Sequence, residues 1–489
     1  MPTTNLLRPL LHRKAWELCT PCPSTTVAGA FLVGDKSGAL PANDGFYAVF
    51  SASTLYHYAP EQDAWLAIPA SGIAGTFGAG SCGEFVTLGL PGGALDQIAT
   101  GGTTTTLSTS RTIVRDLRGC TIRVLGGTGV GYEGTVASNT LGANAVLTVT
   151  PASGVAFDAT TTFRVWSGSL WFWNAGSSAV GFAVYDRATH AWTAKSVSGL
   201  PTAWGTCGQL ISTGSAEGGF DTGTSTGGNT ATTLNHTGKT WLANAWTNAQ
   251  VRITGGTGAG QVRTVASNTT SALTVSASWA VTPDATSSYR IEGNDDFLYL
   301  LGNAGVALYR YAISANTWST LTPVAARAAA PGAGFTADWI HGVPDADWSG
   351  AQGKALLQNG TQFRQNGRYL YSFRAGATAN LEIYDIAGNT WINVGTQYGN
   401  AMETFTTGSC SVDFNGGIYV MKEATGRIFR FDVAKNVLEP WSTNVYPQST
   451  AVEGDKLMIV PYRDGATVIP FLYCQPSSRN ELQRAMVIG

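Results

Sequence analysis

A tyrosine followed seven residues later by a tryptophan recurs along this chain, with a hairpin's composition between them. The copies are LYHYAPEQDAW ending at Trp65, FAVYDRATHAW at Trp192, LYRYAISANTW at Trp318 and LEIYDIAGNTW at Trp391. Tyr58, Tyr185, Tyr311 and Tyr384 hold the tyrosine position. A weaker copy, IFRFDVAKNVL, puts Phe431 and Leu438 in the two places. Alternation at Leu381, Ile383 and Asp385 is strand periodicity. The polar middle of each copy makes a turn, and the tryptophan anchors the returning strand.

Each hairpin follows an aromatic strand: FYAVF (46–50), LWFWN (170–174), FLYLLG (297–302), YLYSF (369–373) or IYVM (418–421). Before four of those lies a small-residue strand: GAGSCGEF (78–85), WGTCGQL (204–210), GAGFTADW (332–339) or TTGSCSVDF (406–414). Four strands per unit, the first built of small residues, is the composition of a propeller blade, where space is least near the axis. The hairpins resemble the kelch repeat, best at Tyr185-Asp186…Trp192 and Tyr384-Asp385…Trp391. The kelch Gly-Gly doublet after the second strand is absent; single glycines such as Gly176, Gly302 and Gly376 stand there. Five units, with a sixth from residues 452–474, predict an all-β, kelch-like β-propeller of about six blades. KAWELCTP (14–21) reads as an outer strand without a blade, expected to close the ring against the last one.

The intervals Trp65–Trp192 and Trp192–Trp318 are far longer than Trp318–Trp391, and a second repeat fills the excess. TIRVLGGTGVGYEGTVASN (121–139) matches QVRITGGTGAGQVRTVASN (250–268), and DATTTFRV (158–165) matches DATSSYRI (284–291). Both modules are rich in Thr, Ser and Val, hence β. The expected division is 1–97 (propeller with its closing strand), 98–166 (first module), 167–223 (propeller), 224–292 (second module) and 293–489 (propeller). Both modules enter between the small-residue strand and the aromatic strand, which puts them on one face, side by side. TATTLNHTGKTWLANAW and VRITGGTGAGQVRTVASNTTSALTV resemble a β-module of tailed-bacteriophage virion proteins. That resemblance implies a virion component assembled in the host cytoplasm.

Composition excludes several other classes. Glycine is 60 of 489 residues and only 12% are charged, which suits short strands and tight turns rather than helices. The net charge of −2 gives no excess of cations to neutralise phosphates, so specific nucleic-acid recognition is not expected. No apolar stretch reaches spanning length, so membrane insertion is not expected, and no signal-peptide core is visible. The seven cysteines (Cys19, Cys22, Cys82, Cys120, Cys207, Cys410, Cys474) are odd in number and scattered, which argues against a disulfide scaffold.

Motifs that could carry chemistry each have a plainer reading. GGTGVG (126–131) and GGTGAG (255–260) lack the helix a phosphate loop needs, and read as hairpin turns. Cys82, Cys207 and Cys410 occupy equivalent inner-strand places as small buried residues; Cys19-Thr-Pro-Cys22 is a lone CxxC. His12, His57, His190, His236 and His341 lack metal spacing, and Asp345 and Asp347 fall short of a calcium site. No catalytic, cofactor-binding or metal residue is assigned, and no enzyme is expected. The first expectation is a tail or neck subunit, a nozzle or hub, assembling as a homo-oligomeric ring with other virion proteins. The alternative is an adhesin or decoration protein binding host glycans, with Trp241, Trp246 and Trp279 as partner contacts or as the second module's core. A carbohydrate-active enzyme is the third reading.

Overall fold

The computed structural model of the chain describes most strands and turns between residues 16 and 487. Residues 1–15, 87–96, 111–120, 340–368, 396–409 and 442–455, with shorter stretches, lie outside the described residues. Every described regular element is a β-strand, numbered here in chain order. The chain is all-β and propeller-like.

Strand β1 (Glu17–Leu18) joins the last of six four-stranded antiparallel sheets. The first comprises β2 (Phe31–Gly34), β3 (Phe46–Ser51), β4 (Thr54–Ala59) and β5 (Ala64–Pro69). The second comprises β6 (Cys82–Val86), β13 (Ser169–Asn174), β14 (Gly181–Asp186) and β15 (Ala191–Ala194). The third holds β16 (Gly208–Ser212), β23 (Phe297–Gly302), β24 (Leu308–Ala312) and β25 (Thr317–Leu321). The fourth holds β26 (Thr336–Trp339), β27 (Tyr369–Phe373), β28 (Leu381–Asp385) and β29 (Thr390–Gly395). The fifth is β30 (Cys410–Phe414), β31 (Gly417–Lys422), β32 (Arg427–Asp432) and β33 (Val437–Pro440). The sixth is β34 (Lys456–Asp464), β35 (Thr467–Gln475), β36 (Gln483–Met486) and then β1. Their first strands touch in the order β2, β6, β16, β26, β30, β34 and back to β2.

Small residues reach this inner circuit from β6, β16, β26 and β30, whereas β2 and β34 bring Phe31, Leu32, Leu457 and Met458 to it; in β6 the small residue has a steric reason. A Cβ on Gly83 would stand 2.6 Å from the Phe31 ring of the neighbouring sheet. The second strands carry the bulk. In β13 every residue is buried, and Trp171, Phe172 and Trp173 are fully enclosed. Their rings fill the space between neighbouring sheets: Phe31 packs on Phe172, and Trp171 on Tyr311. Each such side chain contributes about 1.5–3 kcal/mol of burial.

Between β6 and β13 the chain forms β7 (Gln97–Gly102), β8 (Thr106–Thr109), β9 (Thr121–Gly126), β10 (Glu133–Asn139), β11 (Val146–Thr150) and β12 (Thr162–Trp166). These close into a six-stranded barrel around Leu107, Ile122, Leu147 and Phe163. Between β16 and β23 the same pattern recurs as β17 (Asp221–Thr224), β18 (Thr233–Asn235), β19 (Gln250–Gly255), β20 (Val262–Asn268), β21 (Ala272–Val275) and β22 (Ser288–Glu292). Here the sheet stays open between β17 and β18. Its first strand begins at Asp221, ahead of the expected start at residue 224, because DTGT carries no apolar signal. Strands β9 and β19 touch, with the Thr254 carbonyl 2.8 Å from where a Cβ on Gly126 would lie.

Candidate functional site

Three places have the geometry for a functional role: the hairpin turns that join one sheet to the next, the cavity inside the circuit of first strands, and the outer turns of the modules. Tyr58, Tyr185, Tyr311 and Tyr384 each stand directly across the ladder from Trp65, Trp192, Trp318 and Trp391. All four tyrosines are buried, and their rings pack on the paired indoles at 4.9–5.2 Å between centroids.

In three copies the turn residue two places before the tryptophan accepts from the tyrosine hydroxyl. The pairs are Tyr58–Asp63, Tyr311–Asn316 and Tyr384–Asn389, each 2.6 Å. Asp63, Asn316 and Asn389 have φ of 46°, 53° and 45°, the left-handed region that Asn and Asp tolerate best. The same residues hold the preceding sheet. Thr20 N–H donates to Asp63, Ser196 N–H donates to Asn316, and Asn389 Nδ2 donates to the Thr322 carbonyl. Trp65 and Trp318 donate their indole N–H to the carbonyls of Thr20 and Ser196. His190, the matching residue of the second copy, lies outside the described residues.

At the first of these contacts the captured segment is the N-terminal one. Strand β1 pairs with β36, Glu17 opposite Arg484, and their side chains form an ion pair at 3.1 Å. Cys19 and Cys22 are buried behind it, with the Cys22 thiol donating to the Glu481 carbonyl. Burial pushes the Cys19 thiol up to about 11 and the Cys22 thiol higher still. Such thiols are protonated and unreactive, not poised for redox chemistry.

The cavity inside the circuit is lined by all six first strands, including Cys82, Glu84, Gln209, Thr336, Asp338 and Ser411. Glu84 and Asp338 are 4% and 3% exposed. Glu84 accepts the Ser212 N–H at 3.3 Å, and the Thr336 and Ser411 hydroxyls meet at 2.5 Å. Cys82 and Cys410 are buried in this wall as small residues; Cys207 lies outside the described residues. Among the described residues no three His, Cys, Asp or Glu side chains gather to hold a metal ion. His12, His341, Asp345 and Asp347 lie outside the described residues.

In the modules the repeated glycine turns have a structural purpose. Asp158 accepts from the Thr128 hydroxyl at 2.6 Å and from the Thr160 N–H and hydroxyl, while Thr161 donates to the Thr128 carbonyl. Asp284, Thr257, Thr286 and Ser287 repeat every one of these bonds. The hydroxyl donors hold both carboxyl groups below their ordinary titration range. Gly127 and Gly256 have φ of 71° and 73°, and a Cβ on either would lie within 2.1 Å of a carbonyl oxygen. The GGTG segment is thus one half of a latch whose other half is DAT.

Trp241, Trp246 and Trp279 are 2–5% exposed and sit in a core shared by the second module and the adjoining sheets. The latch and the tyrosine–turn bonds leave only small signals in the sequence: Asp or Asn two before three of the tryptophans, and DAT in both modules.

No protein-family profile matches the chain, and no curated protein matches it. Among solved structures it is similar to the major allergen Mala s 1 of Malassezia sympodialis, at 12% identity over 65% of this chain and 89% of that one, with a TM-score of 0.25. It is also similar to a puromycin-hydrolysing peptidase of Mycobacterium tuberculosis, at 9% identity over 94% of this chain and 61% of that one, with a TM-score of 0.18.

Proposed function

We propose that this chain is a non-catalytic structural subunit of a tailed-bacteriophage virion: a six-bladed, kelch-like propeller carrying modules at 98–166 and 224–292. The observation that carries this reading is the way the two modules are fixed. They share one latch, they touch through β9 and β19, and the second is tied to the fourth sheet by Asn248 Nδ2 donating to the Ile386 carbonyl at 3.5 Å. Its tryptophan core runs on into that sheet. A pair of modules held this way is a rigid projection suited to assembly contacts. The propeller is the frame, and the short N-terminal strand is its clasp.

In this reading the subunit sits in the tail or neck as a ring of copies among other virion proteins. Propellers host unrelated functions, so the assignment rests on the modules rather than on the frame. The test is protein identification and imaging of purified particles of the phage that encodes it. The reading expects the chain in the particle at a fixed copy number, as density with two adjacent protrusions per subunit. Absence from purified particles overturns it.

A further inference from the structure

The two modules differ at one seam, and the difference is ionisable. In the first module β7 pairs with β8, Ala99 opposite Thr109 and Gly102 opposite Leu107, which closes the barrel. In the second module the residues equivalent to that pairing, 225–228 and 233–235, meet through Thr226 N–H donating to the Asn235 carbonyl, and β17 and β18 form the two edges of an open sheet. Beside the seam lies His236, whose Nδ1 is 2.8 Å from the Tyr289 hydroxyl. A Cβ on Gly223 of β17 would stand 2.6 Å from that imidazole, so the ring lies close against β17 where no side chain intervenes. Asp221 accepts from Lys239 Nζ and from Trp241 Nε1, each at 2.6 Å, and bridges the same gap.

We propose that this seam is a pH-sensitive joint: the second module opens between β17 and β18 on acidification, and the first does not. The groups facing His236 are Asp221 on β17, Lys239 after β18 and Tyr289 on β22. With the neutral ring in its Nε2–H tautomer, Nδ1 accepts the Tyr289 hydroxyl. A proton there removes that acceptor and puts a second cation beside Lys239, while Asp221 is already committed to Lys239 and Trp241. Burial, then the Lys239 charge, lowers the His236 titration point, with Asp221 opposing. The opened seam therefore binds the proton more tightly than the closed one. Closure is favoured above the ordinary histidine value of about 6.5 and weakens as pH falls through it.

The experiment is amide hydrogen exchange on the full chain at pH 7.5 and about 5.5, with rates corrected for intrinsic pH dependence. Protection at Thr226 and Thr237, whose N–H groups donate across the seam, is expected to fall at the lower pH by at most about tenfold, the limit set by one pH unit below the ordinary histidine value of about 6.5. Protection in β7 and β8 is expected to hold. NMR titration of the five histidines should place His236 below the free value. His236→Gln, which bonds without titrating, should abolish the pH difference. Equal protection at both pH values, loss in both modules alike, or a His236 midpoint at or above the free value overturns the proposal. The last three readings need only the native protein, so a variant that does not fold leaves the test standing.

Discussion

The hydroxyl of Tyr384 donates to Oδ1 of Asn389 at 2.6 Å, across a turn whose last residue is held in the left-handed region. That one side chain accepts from its own sheet and donates to the Thr322 carbonyl of the previous one. Asn389→Ala removes both bonds and forces alanine into a conformation costing about 1–2 kcal/mol. With the tyrosine hydroxyl left unpaired, the total loss should be about 2–4 kcal/mol. Asn389→Gly spares the backbone cost and should lose less. Comparing the denaturation midpoints of the two variants separates the terms; equal losses would mean that the left-handed turn contributes nothing.

The latch predicts a matched pair of effects. Gly127→Ala and Gly256→Ala each drive a Cβ into a carbonyl oxygen, of Thr160 and Thr286 respectively, and should destabilise their modules by well over 1 kcal/mol. Gly131→Ala meets no atom within 4 Å and bears only the conformational cost of φ 85°. Thermal scans of the three variants should rank Gly131→Ala as the mildest.

The same latch should titrate only in strong acid. Asp158 and Asp284 have lowered pKa values, chiefly from threonine hydroxyls donating to the ionised form. Their contribution is complete above the ordinary aspartate value of about 3.9 and is lost as pH falls through the lower folded value. Exchange protection in residues 126–132 and 255–258 should therefore persist at the acidity that opens the β17–β18 seam. Loss of the latch near pH 5.5 would contradict the assigned bonds.

The tyrosine–tryptophan repeat made the four-stranded sheets legible because a cross-strand aromatic pair leaves a fixed spacing. The position of the modules was legible for the same reason, as an interruption of that spacing. The turn bonds were harder to read, since Asp63, Asn316 and Asn389 act through backbone conformation and through partners far along the chain, such as Ser196. The open seam was not legible at all. It depends on His236 lying against Gly223, and only the packed structure brings a histidine after β18 onto a glycine of β17. Trp241, Trp246 and Trp279 could be read either way, because a tryptophan's sequence neighbourhood does not say which side of a small sheet faces solvent.

Buried charge in the fourth sheet gives a further prediction. Arg327 pairs with Glu382 through Nε, contacts the Ser372 hydroxyl, and lies over the Trp391 ring at 4.6 Å. Both side chains of the ion pair are 1–2% exposed. Arg327→Met leaves Glu382 buried with Arg374, 3.6 Å away, as its remaining cation among the described residues. The expected loss is about 3–5 kcal/mol, and adding Glu382→Leu should recover most of it. If the double variant is no more stable than the single one, Arg327 acts through packing on Trp391 rather than through charge.

The clasp can be read through its thiols. With burial raising Cys19 to about 11, its thiolate fraction at pH 8 is about one in a thousand. Cys22 should be less reactive still. Both should resist alkylation while β1 stays paired with β36. Thr20→Pro removes the N–H that Asp63 accepts, and Glu17→Ala removes the ion pair with Arg484. Neither change touches Cys474, which is fully buried against Met421 in the sixth sheet's core. The doubly substituted chain should therefore show faster alkylation at Cys19 and Cys22, with Cys474 unchanged, by mass spectrometry of the labelled peptides. Acceleration at all three would mean that the sixth sheet cannot hold together without its N-terminal strand. No acceleration at any would mean that the two substituted contacts do not hold the clasp.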